Sequence, residues 1–202
     1  MTRFVYNFSE GSMDQKDLLG GKGANLAEMT NLGIPVPPGF TITTEACRAY
    51  LASGDVPEGL DAQVDEHVSA LEEAMGRRLG DKDDPLLVSV RSGGKFSMPG
   101  MMNTVLNIGL NDESVEGLAR QTGNPRFAWD SYRRLVHMFG STVLNLDDHH
   151  FEEAIDAAKE AKGTTDDLGL DADDLKTLTR TYQQIVEQDS GAPFPQDPRE
   201  QL

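Results

Sequence analysis

The feature that most constrains this chain is a glycine-rich loop between two short apolar runs, LLVSVRSGGKFSMPGMMNTVLNIGL, at residues 86–110. The first run, 86–90, is short and rich in β-branched residues, which predicts a buried strand that ends at Arg91. The second run, 105–108, predicts the returning strand. Glycines let backbone N–H groups approach an anion closely, and an arginine adds a planar fork of donors. The pattern therefore favours a phosphate-binding loop, although an ordinary hairpin loop with solubilising cations has the same composition.

A second glycine cluster, GGKG at 20–23, comes directly before a helical pattern over 24–32. The leucines and the methionine of this pattern share one face, Gly33 stands where a C′ glycine belongs, and Pro35 stops the helix. Lys22 would then lie at a helix N-terminus, where free N–H groups and the helix dipole both favour an anion. The spacing is not that of a Walker A motif, and a tight turn with a solvent-exposed lysine is the alternative.

The charge of the chain excludes several classes of function. It carries 34 acidic and 18 basic residues, a formal net charge of −16, and such a field repels nucleic acid and anionic lipid. No apolar run approaches the roughly 20 residues of a membrane-spanning helix. The single cysteine, Cys47, excludes an internal disulfide and favours a reducing cytoplasm, and its helical context predicts a core position. We therefore expect a cytoplasmic protein that binds neither nucleic acid nor membrane.

The chain changes from a mixed α/β pattern to an all-helical one about half-way along. This change predicts a nucleotide-binding subdomain at 1–111, a helical subdomain at 112–189 and a proline-rich linker at 190–202. His149 and His150, the adjacent histidines, are predicted to form a helix N-terminal turn and not a metal site. The predicted strands are 3–8, 40–43, 86–90 and 105–108. The predicted helices are 24–32, a short helix capped by Thr44 that runs through 50–51 and ends at Gly54, 58–79, 112–121, 125–146, 151–162 and 171–188.

Taken together, the motifs resemble the N-terminal part of the pyruvate, phosphate dikinase family. The resemblance spans essentially the whole chain, and motifs this long in this order are highly specific. The related phosphoenolpyruvate synthases share the lysine of GGKG and the arginine of SVRSG but do not, as a rule, carry SMPGMM. The matching segments are GGKGANLAEM at 20–29, IPVPPGF at 34–40, SVRSG at 89–93, SMPGMM at 97–102, NPRFA at 124–128 and FPQDP at 194–198.

The resemblance implies an α/β (α+β) N-terminal subdomain of the ATP-grasp type, followed by an all-helical subdomain like the family's helical insertion. In the family, the lysine and the arginine that match Lys22 and Arg91 hold the phosphates of ATP and serve catalysis. The glycine-rich loop, here 93–102, closes over the phosphates, and its three glycines predict mobility. The implied nucleotide-binding residues are Lys22, Arg91, Ser92, Gly93, Gly94, Lys95, Ser97, Gly100, Met101, Met102 and Thr104.

The resemblance also implies a reaction. Family members use ATP and Mg²⁺ to pyrophosphorylate a histidine on a swivelling domain; phosphate takes one phosphoryl group and pyruvate the other, giving phosphoenolpyruvate. The Mg²⁺ carboxylates, the second ATP-grasp half, the phosphohistidine domain and the pyruvate-binding barrel lie beyond the point that matches Leu202. We therefore expect the isolated chain to be inactive in the full reaction, with those domains as partners in a homodimeric enzyme. The alternatives are part of a phosphoenolpyruvate synthase-like dikinase, or a stand-alone non-catalytic homologue.

Overall fold

The computed structural model describes residues 2–93 and 104–202, which form two compact units. The first unit contains the chain up to residue 76 together with 92–93, and the second contains the other described residues. These units divide the chain at other points than the boundary expected at 111–113. The reason is that the strands just before that boundary pack against the helices that follow it.

Among its described residues, the first unit combines a two-stranded antiparallel sheet with three α-helices. Val5 pairs with Ile42 in the register of the sheet, and both Val5 and Ala46 are buried in its small core. The strands predicted at 3–8 and 40–43 are therefore confirmed, with shorter bounds. The elements are β1 (Val5–Asn7), α1 (Lys16–Asn31), β2 (Phe40–Ile42), α2 (Thr44–Ser53) and α3 (Leu60–Met75).

The buried residues of α1 are one leucine and four small residues, and not the leucines and the methionine that share one face in the sequence pattern. Met29 is 38% exposed and Leu32 is 68% exposed. A Cβ at Gly23 would lie 2.8 Å from the γ-methyl carbon of Thr41 in β2, so glycine permits a close approach of helix and sheet. The buried residues of α1 are Leu19, Gly20, Gly23, Ala24 and Ala27.

The end of α1 is formed as the sequence predicts. Gly33 has a φ of 75°, and its N–H donates to the carbonyl of Thr30 at 3.0 Å. The N–H of Ile34 donates to the carbonyl of Met29, also at 3.0 Å. This pair of bonds satisfies the last helical carbonyls in a Schellman motif, which requires a left-handed C′ residue.

Two other helix boundaries differ from their predicted positions. Helix α3 ends at Met75 because Gly76 is left-handed, with a φ of 64°, and Leu79 lies in a strand instead of the helix predicted to reach it. The hydroxyl of Thr43, and not that of Thr44, caps α2 at 3.4 Å. Cys47 in α2 is exposed, so the expected core position is wrong.

The second unit contains two small sheets and four α-helices among its described residues. Its strands are β3 (Arg78–Leu79) and β4 (Pro85–Leu86), which are parallel, and β5 (Val88–Arg91) and β6 (Thr104–Ile108), which are antiparallel. Its helices are α4 (Ser114–Thr122), α5 (Pro125–Met138), α6 (Asp148–Lys162) and α7 (Ala172–Ser190), and a π-helical segment, Phe139–Val143, continues α5. These helices confirm the all-helical pattern predicted for the second half.

The core of the second unit is aromatic and lies between α5, α6 and α7. Tyr132, Phe151 and Tyr182 are at most 1% exposed, and the rings of Phe151 and Tyr182 meet edge to face at 5.0 Å. Asn124 caps α5 by accepting the N–H of Phe127 at 3.0 Å, as the Asn-Pro pair predicts.

The segment 190–202, expected to be a linker, packs onto this core. Phe194 is 3% exposed, and its ring meets those of Tyr132 and Phe139 at 6.1 and 5.4 Å. The side-chain amide of Gln201 accepts the N–H of Gly109 at 3.1 Å and donates to a neighbouring carbonyl. In the described ranges, 2–93 and 104–202, we find no helix that has the length and apolarity needed to span a membrane.

Candidate functional site

The glycine cluster of α1 interrupts the helix. Gly20 has a φ of 70° and a ψ of 170°, values outside the helical region, and helical geometry resumes at the next residue. A helix that restarts after such a break has N–H groups in its first turn without carbonyl partners in its own segment. Lys22 lies in that first turn, as the sequence predicts. The arrangement presents backbone donors and a cation at one helix end, which is typical of anion sites.

The ammonium group of Lys22 is held in place without being neutralised. Its Nζ donates to the carbonyl oxygen of Ser92 at 3.0 Å, and Ser92 comes directly after Arg91 in the chain. Within the described ranges no carboxylate forms an ion pair with Lys22, which is itself half-buried. A neutral carbonyl orients an ammonium but leaves its full positive charge, so the charge is available to an anionic ligand.

Arg91 ends β5, where the sequence places it. The Cα of Arg91 is paired with that of Thr104, the first residue of β6, so two of the predicted binding residues face each other at one end of the strand pair. Arg91 is exposed, and none of the described acidic side chains forms an ion pair with it. The expectation of a buried strand is wrong for β5, because Ser89 and Val90 are also exposed.

Two of the remaining predicted site residues belong to the described part of the chain. Ser92 and Gly93 are exposed at the end of β5. Six other predicted site residues lie outside the described residues: Gly94, Lys95, Ser97, Gly100, Met101 and Met102. The prediction that the loop is mobile concerns the same segment and stays a prediction.

The described residues offer no ligand set for a divalent cation. They contain no group of three or more histidine, cysteine, aspartate or glutamate side chains that could hold a metal ion. His149 and His150 lie in the first turn of α6, as predicted, and each faces a single carboxylate, of Glu153 at 3.2 Å and of Asp189 at 2.6 Å. The contact with Asp189 raises the pKa of His150.

The structure adds a cleft that the sequence analysis did not find. It has a volume of about 310 Å³, lies among α5, α6 and α7, and is lined in part by Arg133, Arg134 and His137. Both arginines are already paired with Asp130, whose two carboxylate oxygens accept from them at 2.8 and 2.9 Å. The i, i+3 and i, i+4 spacing in DSYRR is the signal that predicts this pairing. Since Glu152 and Asp167 also line the cleft, its acidic side chains together offset both guanidinium groups and make it a poor phosphate site.

Comparison with known proteins first identifies the class of domain to which part of the chain is similar. Residues 16–71, which contain the whole of α1 with Gly20 and Lys22, match the sequence profile described as "Pyruvate phosphate dikinase, AMP/ATP-binding domain". The helix break and its lysine therefore lie in a region that is typical of a nucleotide-binding domain.

Similarity over the whole chain identifies the family. The chain is 52% identical over 204 residues to a pyruvate, phosphate dikinase of Clostridium symbiosum and 51% identical over 207 residues to one of Rhizobium meliloti (strain 1021); each comparison covers 100% of this chain and 23% of the relative. It is 48% identical to a pyruvate, phosphate dikinase of Entamoeba histolytica, with 98% of this chain and 22% of the relative covered. The chain belongs to the pyruvate, phosphate dikinase family, and it spans about a quarter of the length of the curated relatives that it matches, at their N-terminal end.

Proposed function

We propose that this chain binds ATP and that Lys22 and Arg91 are the cationic ligands of its phosphates. The observation that carries the proposal is the state of Lys22: it follows a helix break, is half-buried, and keeps its charge because its described partner is a carbonyl. In a chain with a net charge of −16, an oriented cation that has no ion-pair partner among the described residues, in the first turn after a helix break, is a selective position for an anion. The match of residues 16–71 to an AMP/ATP-binding profile supports the same assignment.

The two cations suit different parts of this task. Lysine is a compact point charge that can follow a phosphate as its charge changes, whereas arginine offers two parallel donors to two phosphate oxygens. Thr104, opposite Arg91 in the strand pair, adds a hydroxyl on the same face. Phosphoryl transfer needs little covalent help from the protein; it needs neutralisation of charge and positioning, which these groups supply.

For the whole protein we propose pyruvate, phosphate dikinase activity of the phosphotransferase type. ATP, pyruvate and phosphate would give AMP, phosphoenolpyruvate and diphosphate through a phosphohistidine. The chain spans about 23% of its relatives, so the ATP-grasp arrangement, the Mg²⁺ ligands, the phosphohistidine and pyruvate domains and the homodimer belong to the proposal for the longer protein. We expect these 202 residues alone not to complete the reaction, and we keep the cytoplasmic location as a prediction.

Calorimetric titration of the 202-residue chain with Mg·ATP tests the phosphate ligands. Lys22→Ala and Arg91→Ala should each weaken binding roughly 10- to 150-fold, since a hydrogen bond to a charged group contributes about 1.5–3 kcal/mol. Lys16→Ala, on the exposed first residue of α1, and Arg78→Ala, on an exposed strand, are the matched controls and should leave the affinity within about threefold.

Two results would contradict the assignment. One is wild-type affinity in a folded Lys22→Ala or Arg91→Ala chain; the other is an equal loss of affinity in the control variants, which would indicate a general charge effect. A separate measurement on the longer protein distinguishes the two kinds of dikinase by the acceptor of the second phosphoryl group. Turnover that depends on free phosphate supports pyruvate, phosphate dikinase, and turnover with water as the acceptor supports a phosphoenolpyruvate synthase.

A further inference from the structure

The strand pair that carries Arg91 is irregular at one position. Val90 pairs with Val105, and Val88 pairs with Ile108, so two steps along β5 correspond to three steps along β6. The extra residue forms a β-bulge opposite Ser89. We call this pair the β5–β6 arm; its base is the Val88–Ile108 end, and its tip is the end that bears Arg91 and Thr104.

The burial pattern of β6 is consistent with the bulge. In a regular strand, residues 105 and 107 would share a face and residue 108 would lie on the other. Instead, Val105 and Ile108 are both buried, at 5% and 1% exposure, and Leu106 between them is 40% exposed. The bulge thus lets two apolar residues three positions apart enter the same core.

The residue at the bulge is Asn107, which has a φ of 63°. Positive φ is unfavourable for most side chains, and asparagine is one of the few that adopt it readily. Its side-chain Nδ2 donates to the backbone carbonyl of Ser131 in α5 at 3.2 Å, and Ser131 is buried. The carbonyl oxygen of Ser131 can accept this bond in addition to a helical bond, because it has two lone pairs. The bond therefore fixes the bulge directly to a core helix.

We propose that the Asn107 bulge aims the tip of the β5–β6 arm, which makes Asn107 a positioning residue for Arg91 and Thr104; this inference rests on the proposed function. A bulge bends its strand and increases the local twist, and bulges of this kind redirect side chains next to active sites. Because Ile108 at the base is buried and Arg91 at the tip is exposed, a change of bend at Asn107 moves the tip relative to α5 and leaves the core pairs in place.

Deleting Asn107 is the sharpest test, because deletion removes the bulge but preserves all three cross-strand pairs in a regular hairpin. The wild-type chain, the deletion variant and Asn107→Gly are compared, since glycine keeps the positive φ. Residual dipolar couplings of the β5 and β6 amides, referred to those of α5, report the direction of the arm without any ligand. Titration with Mg·ATP reports the consequence for binding.

The expected result is a changed arm direction and at least about tenfold weaker binding in the deletion variant, with both restored by Asn107→Gly to within about threefold of the wild type. Unchanged couplings in the deletion variant would overturn the inference, and so would changed couplings with wild-type affinity. If the deletion variant does not fold, Asn107→Ala replaces it, and equal affinities of folded Asn107→Ala and wild type would overturn the inference. If the wild type binds no Mg·ATP, the proposed function is wrong, and the positioning role of Asn107 is wrong with it. The residual dipolar couplings would still show whether the bulge sets the direction of the arm.

Discussion

Replacing Phe194 by alanine should destabilise the second unit strongly, although this residue lies in a proline-rich segment close to the end of the chain. Its ring is 3% exposed and meets two other aromatic rings at 5.4 and 6.1 Å. Removal of a buried phenylalanine ring costs about 3–5 kcal/mol, because transfer free energy is lost and a cavity remains. Most domains have about 5–15 kcal/mol of stability, so the variant should lose a large fraction of it.

The fluorescence of the single tryptophan, Trp129, is a suitable assay because this residue is 6% exposed in the core of the second unit. Urea unfolding should show a loss of about 4 kcal/mol in Phe194→Ala, and thermal unfolding a midpoint lower by at least about 8 °C. Leu202→Ala is the matched control in the same segment, since Leu202 is 41% exposed and should change stability by less than about 1 kcal/mol. A loss below about 1 kcal/mol in Phe194→Ala would refute the reasoning and show that 190–202 is not part of the folded unit.

Two further predictions concern a charge and a glycine. The hydrogen bond from Lys162 lowers the pKa of Asp171 to about 2, so its contribution to stability is present above the unfolded pKa of about 4 and is lost as the pH falls toward 2. Asp171→Asn keeps the N-cap acceptor of α7 and removes the charge; its melting temperature should be below that of the wild type at pH 7, and the difference should shrink as the pH falls toward 2. A difference of the same size at pH 7 and pH 2 would contradict this. Gly109→Ala should cost about 2–4 kcal/mol in urea unfolding, because φ is 111° and the added Cβ would lie 2.5 Å from the carbonyl oxygen of Leu86. A stability within about 0.5 kcal/mol of wild type would show that the backbone can relax there.

Local signals in the sequence predicted the parts of the site that depend on local geometry. Gly33 ends α1, Asn124 caps α5, and Arg91 lies at the end of β5 because glycine, asparagine-proline and a β-branched run each fix a few dihedral angles through their own chemistry. The position of Lys22 in the first turn after a helix break follows from the same kind of signal, because the glycines before it favour an interruption.

Features set by contacts distant in sequence could not be predicted in this way. The burial of Phe194 depends on rings more than fifty positions earlier, and the small-residue face of α1 depends on its close approach to β2. The bulge at Asn107 is visible only when the partner strand supplies the register. An alternating pattern predicts a strand, but it does not show where one strand has a residue more than its partner.

Phosphorus NMR of ATP with Mg²⁺ in the presence of the 202-residue chain tests most directly whether the chain holds the nucleotide by its phosphates. The β- and γ-phosphate resonances should shift or broaden on addition of the wild-type chain, and Lys22→Ala and Arg91→Ala should each reduce the effect. Resonances that stay unchanged with a folded wild-type chain, or that respond equally to the wild type and both variants, would contradict the assignment of Lys22 and Arg91 as phosphate ligands.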